Sequence, residues 1–556
     1  MFPTVPGFVG VVAASISYIP PLGLNSPAMI GFSQVFEWQG VEYSIFLTLF
    51  TALFSSYLAC FITYSILMQC WQSRWWKRIE LLLSPMLAIP HVAYAIGFAF
   101  LFAPTGLGVR GIHALFGVDL NDSTSQELAM LIQDPYGLGL GIMLALKEVP
   151  FLLLMSIPIL KQLNIQKIEK VSASLGYSRA QTWWKCVLPQ WLNKMRFSML
   201  AVLAYSLAVV DVSLILGPTN PPTFAVLVWQ WFNDPDLSMM PRASAGAIIL
   251  FFIACILITT ARLIEWGVTK GLRGWQCSGR FGLKLPGAAL FSAIAMLSTV
   301  MLPLMAVWSV AQRWRFPDIL PSRFSKQFWE YEWENILGTI EQSVSIALTS
   351  STIALVFAMV VHESRIRHRI QVPGYIIAIP MLIPQLSVLF GMQIMTLFVE
   401  HELYWFWVCW AHIFFAFPFV YLSLDGPWRS YNQKHTKVAL SLGKSPLEVF
   451  FKVKLGMLVP AVVFAWAMGI SVSLAQYLPT LILGAGRINT LTTEAVALAS
   501  GFDQRVTAIY ALWQALLPFV FFSIALFVSR AKFIRRNITF KGFKLNGSLL
   551  KKSFNI

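Results

Sequence analysis

"VSASLGYSRAQTWWKCVLP" occupies residues 171–189 and "VALSLGKSPLEVFFKVKLG" residues 438–456. The two stretches are equal in length, 267 positions apart, and each sits in a polar gap between long apolar runs. Gly176 matches Gly443. Ser174, Leu175, Ser178, Lys185 and Leu188 match Ser441, Leu442, Ser445, Lys452 and Leu455, and Trp183-Trp184 faces Phe450-Phe451. Further along, "LILG" at 214–217 recurs at 481–484, and Thr223 matches Thr490 on the same offset. Upstream, Pro90 and Gly97 in "IPHVAYAIG" match Pro384 and Gly391 in "IPQLSVLFG" on an offset of 294. Landmarks in one order on fixed offsets mark a duplicated chain. The first copy carries about 27 extra residues, within 105–136, where the second has only 399–403.

The surrounding composition sets the class. Of 556 residues, 57% are hydrophobic and 12% charged, about half the charged share of a soluble domain. Repeated apolar runs of about 20 residues indicate a polytopic membrane protein. Helices satisfy their own backbone in lipid, and the runs lack the alternation of a β-barrel. About twelve spans are expected. The first copy gives 7–24, 44–68, 81–104, 137–160, 197–218 and 244–267. The second gives 285–312, 338–361, 373–398, 404–424, 459–484 and 507–530. The fold class is therefore an all-α membrane protein of two fused, parallel six-helix repeats, related by an axis along the membrane normal, a common transporter design. The expected domains are 1–268, a basic linker 269–284, a second half 285–530 and a basic tail 531–556. No charged segment precedes the first span and no cleavage site is evident, so a removed signal peptide is not expected.

A net charge of +16 could suggest nucleic acid, but its placement argues otherwise. Alternate loops hold about 31 of the 41 Lys and Arg, and the opposite loops about eight. That bias puts the basic loops and both termini in the cytoplasm, with lipid as the neighbour. The six cysteines have no metal or redox spacing, so neither a metal site nor a disulfide is expected. "GKS" at 443–445 lacks the first glycine of a phosphate loop, Val438 standing there. "GLGLG" at 137–141 lies in a span, where Gly137 and Gly141 read as close helix packing. "EHE" at 400–402 reads as a solvated loop. No catalytic residues emerge.

The repeated stretch has its own local physics. A helix running to Leu175 or Leu442 ends where glycine tolerates the left-handed conformation. Ser178 with Gln181, and Ser445 with Glu448, fit the capping box, and Pro446 falls at the first helical position. Each copy is expected to be a short helix, a glycine corner and a second helix, with its aromatic pair at the headgroups or beneath the bundle. One such corner is an ordinary turn; two on the basic side suit a two-fold partner.

These residues resemble the EAA loop of binding-protein-dependent ABC importer permeases, E-A-A-x-x-x-G with Leu-Pro about thirteen residues after the glycine. Gly176 is followed by Leu188-Pro189 and Gly443 by Leu455-Gly456. The resemblance covers nearly the whole chain and is nearest to the fused permeases of the iron, thiamine and YnjC type, through "AQYLPTLILGAGRINTLTTEAVALASG" (475–501) and "RFPDILPSRFS" (315–325). It implies that Lys170, Val171, Ser172, Leu175, Gly176 and Ser178, with Lys437, Val438, Ala439, Leu442, Gly443 and Ser445, form the loops that couple to an ATPase. The motif's Glu is Lys170 and Lys437 here, its alanines are Val171-Ser172 and Val438-Ala439, and Gly456 replaces the second proline. It also implies a homodimeric ABC ATPase carrying ATP-Mg, no cofactor on this chain, a periplasmic substrate-binding protein, and an inner-membrane location. A gradient-driven secondary transporter of six-plus-six helices is the alternative, though few ionisable residues lie within spans: Lys147, Glu148, Asp211 and Glu341. Candidate pathway residues are Pro90, His91, Pro384, Gln385, Asp211 and Gln476, against the reading that they bond helix to helix. The aromatic stretches 221–236 and 314–336 either receive the binding protein or form interfacial belts. Iron, thiamine, a polyamine and other small solutes all fit this sequence.

Overall fold

The computed structural model describes residues 4–117, 131–271, 273–368, 374–397, 403–501 and 503–552. These residues are helical apart from turns, loops and one two-stranded antiparallel ladder, Ala311–Arg313 with Arg323–Phe324. Nine helices among them are long and apolar enough to cross a membrane. The other three expected spans are assembled from shorter pieces. Span 7–24 contains the helix Thr4–Ser15 and a turn over Pro20–Leu22. Span 197–218 is Leu188–Ala208 followed by Asp211–Leu216. Span 373–398 is Gly374–Leu382 followed by Gln385–Thr396. Breaks also fall inside 81–104, between Trp76–Ala88 and His91–Phe102, and inside 459–484, between Gly456–Leu474 and Leu478–Gly484. Proline accounts for two of the breaks: Pro90 and Pro384 have no N–H and sit in extended backbone before the restarted helix. The "EHE" stretch lies outside the described residues.

The chain forms two compact units. One comprises residues 1–343, 375–408 and 475–515; the other 344–374, 409–474 and 516–556. In the larger unit, Val41–Cys70 packs against Leu138–Leu163, Leu188–Ala208 and Gly287–Val310. Gly141 meets Phe54 of that helix, where an added Cβ would lie 2.6 Å from the ring, so the glycine pair does serve helix packing. The first helices of the two repeats are exchanged. Thr4–Ser15 packs on Gln385–Thr396 of the second repeat as well as on Met240–Trp266 of its own, and Gly287–Val310 packs on His91–Phe102 of the first. The matched glycines Gly97 and Gly391 are the two seats. A Cβ on Gly97 would lie 2.8 Å from Met301 Cβ, and one on Gly391 would fall onto the Gly7 carbonyl oxygen. Backbones approach this closely only where side chains are absent.

The 314–336 stretch is held by buried Arg110, whose guanidinium donates to the carbonyls of Thr105, Arg315 and Asp318 at 2.7, 2.7 and 2.6 Å. It also lies over the rings of Trp314 and Phe316. Arg505 donates to the carbonyls of Ala311 and Gln312. Leu320, Phe324 and Tyr331 remain exposed on this plate.

In the smaller unit, His362 stacks on Tyr421 at 4.0 Å and bonds its carbonyl, while Arg365 and Arg429 share Asp425. His412, Ser473 and Ser350 form a buried hydrogen-bonded chain, at 2.8 and 3.1 Å.

The glycine seat gives a direct test. Gly391→Leu is expected to lower folded-state stability by about 2 kcal/mol or more, as overpacking does, read as a lower unfolding temperature of the detergent-solubilised chain. Gly426→Ala, with open space around it, should leave that temperature unchanged or slightly raised.

Candidate functional site

The helix Ile165–Ser174 ends at Leu175, and Gly176 takes φ +79°. Gly176 N donates to Ala173 O at 3.0 Å and Tyr177 N to Ser172 O at 3.0 Å. These two bonds constitute a Schellman motif, which satisfies carbonyls that the helix end would leave open. In the second copy, Lys434–Ser441 ends at Leu442 and Gly443 takes φ +80°. Gly443 N donates to Leu440 O at 3.0 Å and Lys444 N to Ala439 O at 3.3 Å. The two corners are thus the same motif, residue for residue.

Beyond the corners the two copies diverge, first in the cap. Ser178 and Gln181 form a full capping box: Gln181 N donates to Ser178 Oγ and Ser178 N to Gln181 Oε1. Ser445 accepts from Glu448 N at 3.2 Å, so the forward half of the expected box is present. The Glu448 carboxylate instead accepts from Lys444 and Lys452, at 3.2 and 2.8 Å. Both copies then run into a π-helical turn, Trp183–Val187 and Val449–Leu455. Pro189 follows the first turn but Gly456 the second, so the shared turn does not require a proline at that position.

The aromatic pairs split their tasks. Trp183 is fully buried under the bundle, its Nε1 donating to Glu169 at 2.8 Å and its carbonyl accepting from Tyr64. Trp184 turns to the linker and donates to Leu283 O at 2.9 Å. Phe450 packs near Trp428 and Phe451 is exposed.

Each elbow presents an apolar pair one helical turn apart. Val171 and Leu175 are 57% and 66% exposed, and Val438 and Leu442 are 58% and 75% exposed. Lys170, Gly176, Ser178, Lys437, Gly443 and Ser445 are exposed beside them, while Ser172 is buried and Ala439 half-buried. The motif-position lysines are thus open to a partner on both elbows.

The candidate pathway residues sit at the breaks. Because Pro90 has no N–H, the helix Trp76–Ala88 leaves the Met86 carbonyl without its helical donor. Lys147 supplies it, Nζ donating to Met86 O at 2.9 Å and reaching Leu87 O at 3.5 Å. A cation there also opposes the negative end of the helix dipole. Glu148 is rotated about 100° from Lys147, and its carboxylate accepts from His91 Nε2 at 3.0 Å. His91 also lies 4.6 Å from the Tyr205 ring. Asp211 is half-buried at the start of Asp211–Leu216, a helix packed on His91–Phe102. The second repeat has no such charges: Gln385 stands for His91, and 267 residues on from Lys147, Glu148 and Asp211 stand Phe414, Phe415 and Leu478. Pro384 is buried, and Gln385 and Gln476 are half-buried near their own breaks. Glu341 is exposed.

Sequence reasoning missed the polar cleft of about 430 Å³ lined by Glu332, Glu334, Asn335, Gln342, Glu494 and Tyr510 among others. Burial and the neighbouring Glu332 push the Glu494 carboxyl above its usual range. Its residues come from two segments, 332–342 and 489–510, far apart in the chain, so no local spacing announces it. Sequence reasoning also missed the linker's grip on the first elbow. Lys185 donates to the carbonyls of Trp275 and Ser278, and Gln181 to that of Arg280 at 2.6 Å.

No family model matches the chain. Relatives do. The inner membrane ABC transporter permease protein YnjC of Escherichia coli K12 is 30% identical over 521 residues, covering 92% of this chain and 93% of that protein. The Fe(3+)-transport system permease protein FbpB 2 of Haemophilus influenzae is 24% identical over 398 residues, 68% of this chain and 73% of that protein. The putrescine transport system permease protein PotI of Escherichia coli K12 is 24% identical over 167 residues, 26% of this chain and 58% of that protein. With a relative of that identity matched almost end to end, the chain belongs to the permease family of inner-membrane ABC transporters.

Proposed function

We propose that the chain is the transmembrane subunit of an ATP-driven, binding-protein-dependent importer, and that its two glycine elbows are where a homodimeric ATPase takes hold. A permease subunit is not itself the enzyme; hydrolysis belongs to a separate subunit, which carries the ATP-Mg. The observation that carries the proposal is the repetition: Gly176 and Gly443 at φ +79° and +80°, each followed by a serine cap and flanked by one exposed apolar pair. A cap of this kind contributes about 1 kcal/mol, so each elbow keeps its angle and passes a push onward instead of absorbing it. The positive-inside bias supports a cytoplasmic side for both elbows and both termini.

Closure of the ATPase pair would move the elbows, and the broken helices beyond them are where the displacement is converted into a change of access. The opposite face would meet the periplasmic binding protein, for which the plate held by Arg110 offers exposed apolar and aromatic side chains. Solute passing inward would then meet the half-buried carboxylate of Asp211 beside the His91–Glu148 pair. A gradient-driven carrier of six-plus-six helices has no use for a matched pair of exposed elbows.

Cysteine placed at Tyr177 or Lys444 should crosslink to the ATPase subunit in proteoliposomes. Gly443→Val, which forces a β-branched residue into left-handed backbone at a cost of roughly 1–2 kcal/mol or more, should abolish coupling. ATP turnover would continue without uptake, while membrane insertion is unchanged. Full transport in that variant would remove the coupling role. Asp211→Asn is expected to reduce uptake at sub-saturating solute; uptake unchanged at every solute concentration would take Asp211 out of the pathway.

A further inference from the structure

The family motif places a carboxylate where this chain has Lys170 and Lys437, and the structure shows that the reversal extends over both elbows. Around the first, Lys167, Lys170 and Arg179 are exposed; around the second, Lys434, Lys437, Lys444 and Lys452. The one carboxylate on each elbow is already engaged. Glu169 accepts from Trp183 and Arg179, and Glu448 from Lys444 and Lys452. The remaining lysines, Lys185 and Lys454, are buried and bound within the chain, to linker carbonyls and to Glu363 respectively. Each elbow therefore presents an apolar ridge rimmed by cations.

The two copies differ at the corner itself. Lys444 follows Gly443, whereas its counterpart after Gly176 is the uncharged Tyr177. The missing cation is supplied from elsewhere in the chain. Arg280 of the linker places Nη2 3.8 Å from where a Gly176 Cβ would lie. The linker is fixed there by its main chain. Gln181 holds the Arg280 carbonyl at 2.6 Å, Trp184 the Leu283 carbonyl at 2.9 Å, and Lys185 the Trp275 carbonyl at 2.7 Å. A Cβ on Gly282 would fall 2.5 Å from Gln181 Cγ, so the strap lies directly on the elbow.

We infer that both elbows dock into a groove with an acidic lip on the nucleotide-hydrolysing subunit, one carboxylate facing Lys170 or Lys437 and another facing the corner cation. At the first elbow that corner cation is Arg280, so the first docking surface is a composite of elbow and inter-half linker. The inference rests on the docking role proposed above. A lipid surface would ask only for positive charge. It would not ask for a cation at the same corner in both copies beside an exposed Val–Leu pair.

The test uses the full chain with its copurifying ATPase subunit in nanodiscs of zwitterionic lipid. A carbodiimide, which joins an amine to a carboxylate in contact, should link Lys437 and Lys444 to Asp or Glu of the ATPase, mapped by peptide mass spectrometry. Arg280→Glu and Lys444→Glu should each weaken ATPase retention roughly tenfold, since like charges are then opposed, and Arg280→Lys should retain it. Because the strap is held through carbonyls, changing the Arg280 side chain leaves it in place. Tyr177→Lys added to Arg280→Glu should restore retention by returning a cation to the corner. Thiol crosslinks at Tyr177 and Lys444 without any carbodiimide adduct, or failure of Tyr177→Lys to rescue, would overturn the acidic lip while leaving docking intact. Substitutions that alter binding to anionic vesicles but not ATPase retention would overturn it in favour of lipid. Loss of the thiol crosslinks as well would overturn the docking role itself.

Discussion

A backbone carbonyl in hydrocarbon needs a donor, and this chain's architecture depends on where that need is met within a helix and where it is met from outside one. Long helices meet it internally. At Pro90 the helix cannot, and the ammonium of Lys147 takes the place of the missing N–H at 2.9 Å. At Gly176 and Gly443 the helix ends outright, and the next two amides turn back to close it. The Pro90 break and both corners are therefore stable features with named partners, so the same sequence can hold rigid rods and fixed bends in alternation.

That pairing explains how two copies of one plan come to differ. The corners repeat because their geometry depends on one glycine and backbone amides, which tolerate any neighbours. The membrane-embedded charges do not repeat. In the first copy His91 pairs with Glu148 and Lys147 with the Met86 carbonyl, and a copy with Phe414, Phe415 and Gln385 does without all three. Losing one alone would leave a buried group unpaired, at a cost of several kcal/mol for a charge.

Much of this was legible in the sequence. Glycine, serine and a fixed offset announced both elbows because their cause is local, and the proline breaks were legible for the same reason. The capping box at Ser445 was only half legible: Glu448 had two lysines within one turn, and charge attraction took its carboxylate from the backbone. Three spans looked continuous because hydropathy averages over a break, and nothing in "AVVDVSLIL" tells an apolar strip that its helix stops at Ala208. The Arg280 strap, the Arg110 staple and the Glu332–Glu494 cleft join residues far apart in the chain, and no periodicity encodes such contacts.

The exchanged first helices bear on how the protein is made. Thr4–Ser15 leaves the ribosome 384 residues before Gly391, the seat opposite Gly7. At ordinary translation speed it waits roughly 20 to 80 seconds for its seat. In that interval its neighbours are Met240–Trp266 of its own repeat and lipid. A second half released alone would lack the helices on which Gly287–Val310 packs, and a first half alone would leave Thr4–Ser15 only its contact with Met240–Trp266. Joining both halves in one polypeptide guarantees that each orphan helix meets its counterpart in equal number and in the same patch of bilayer.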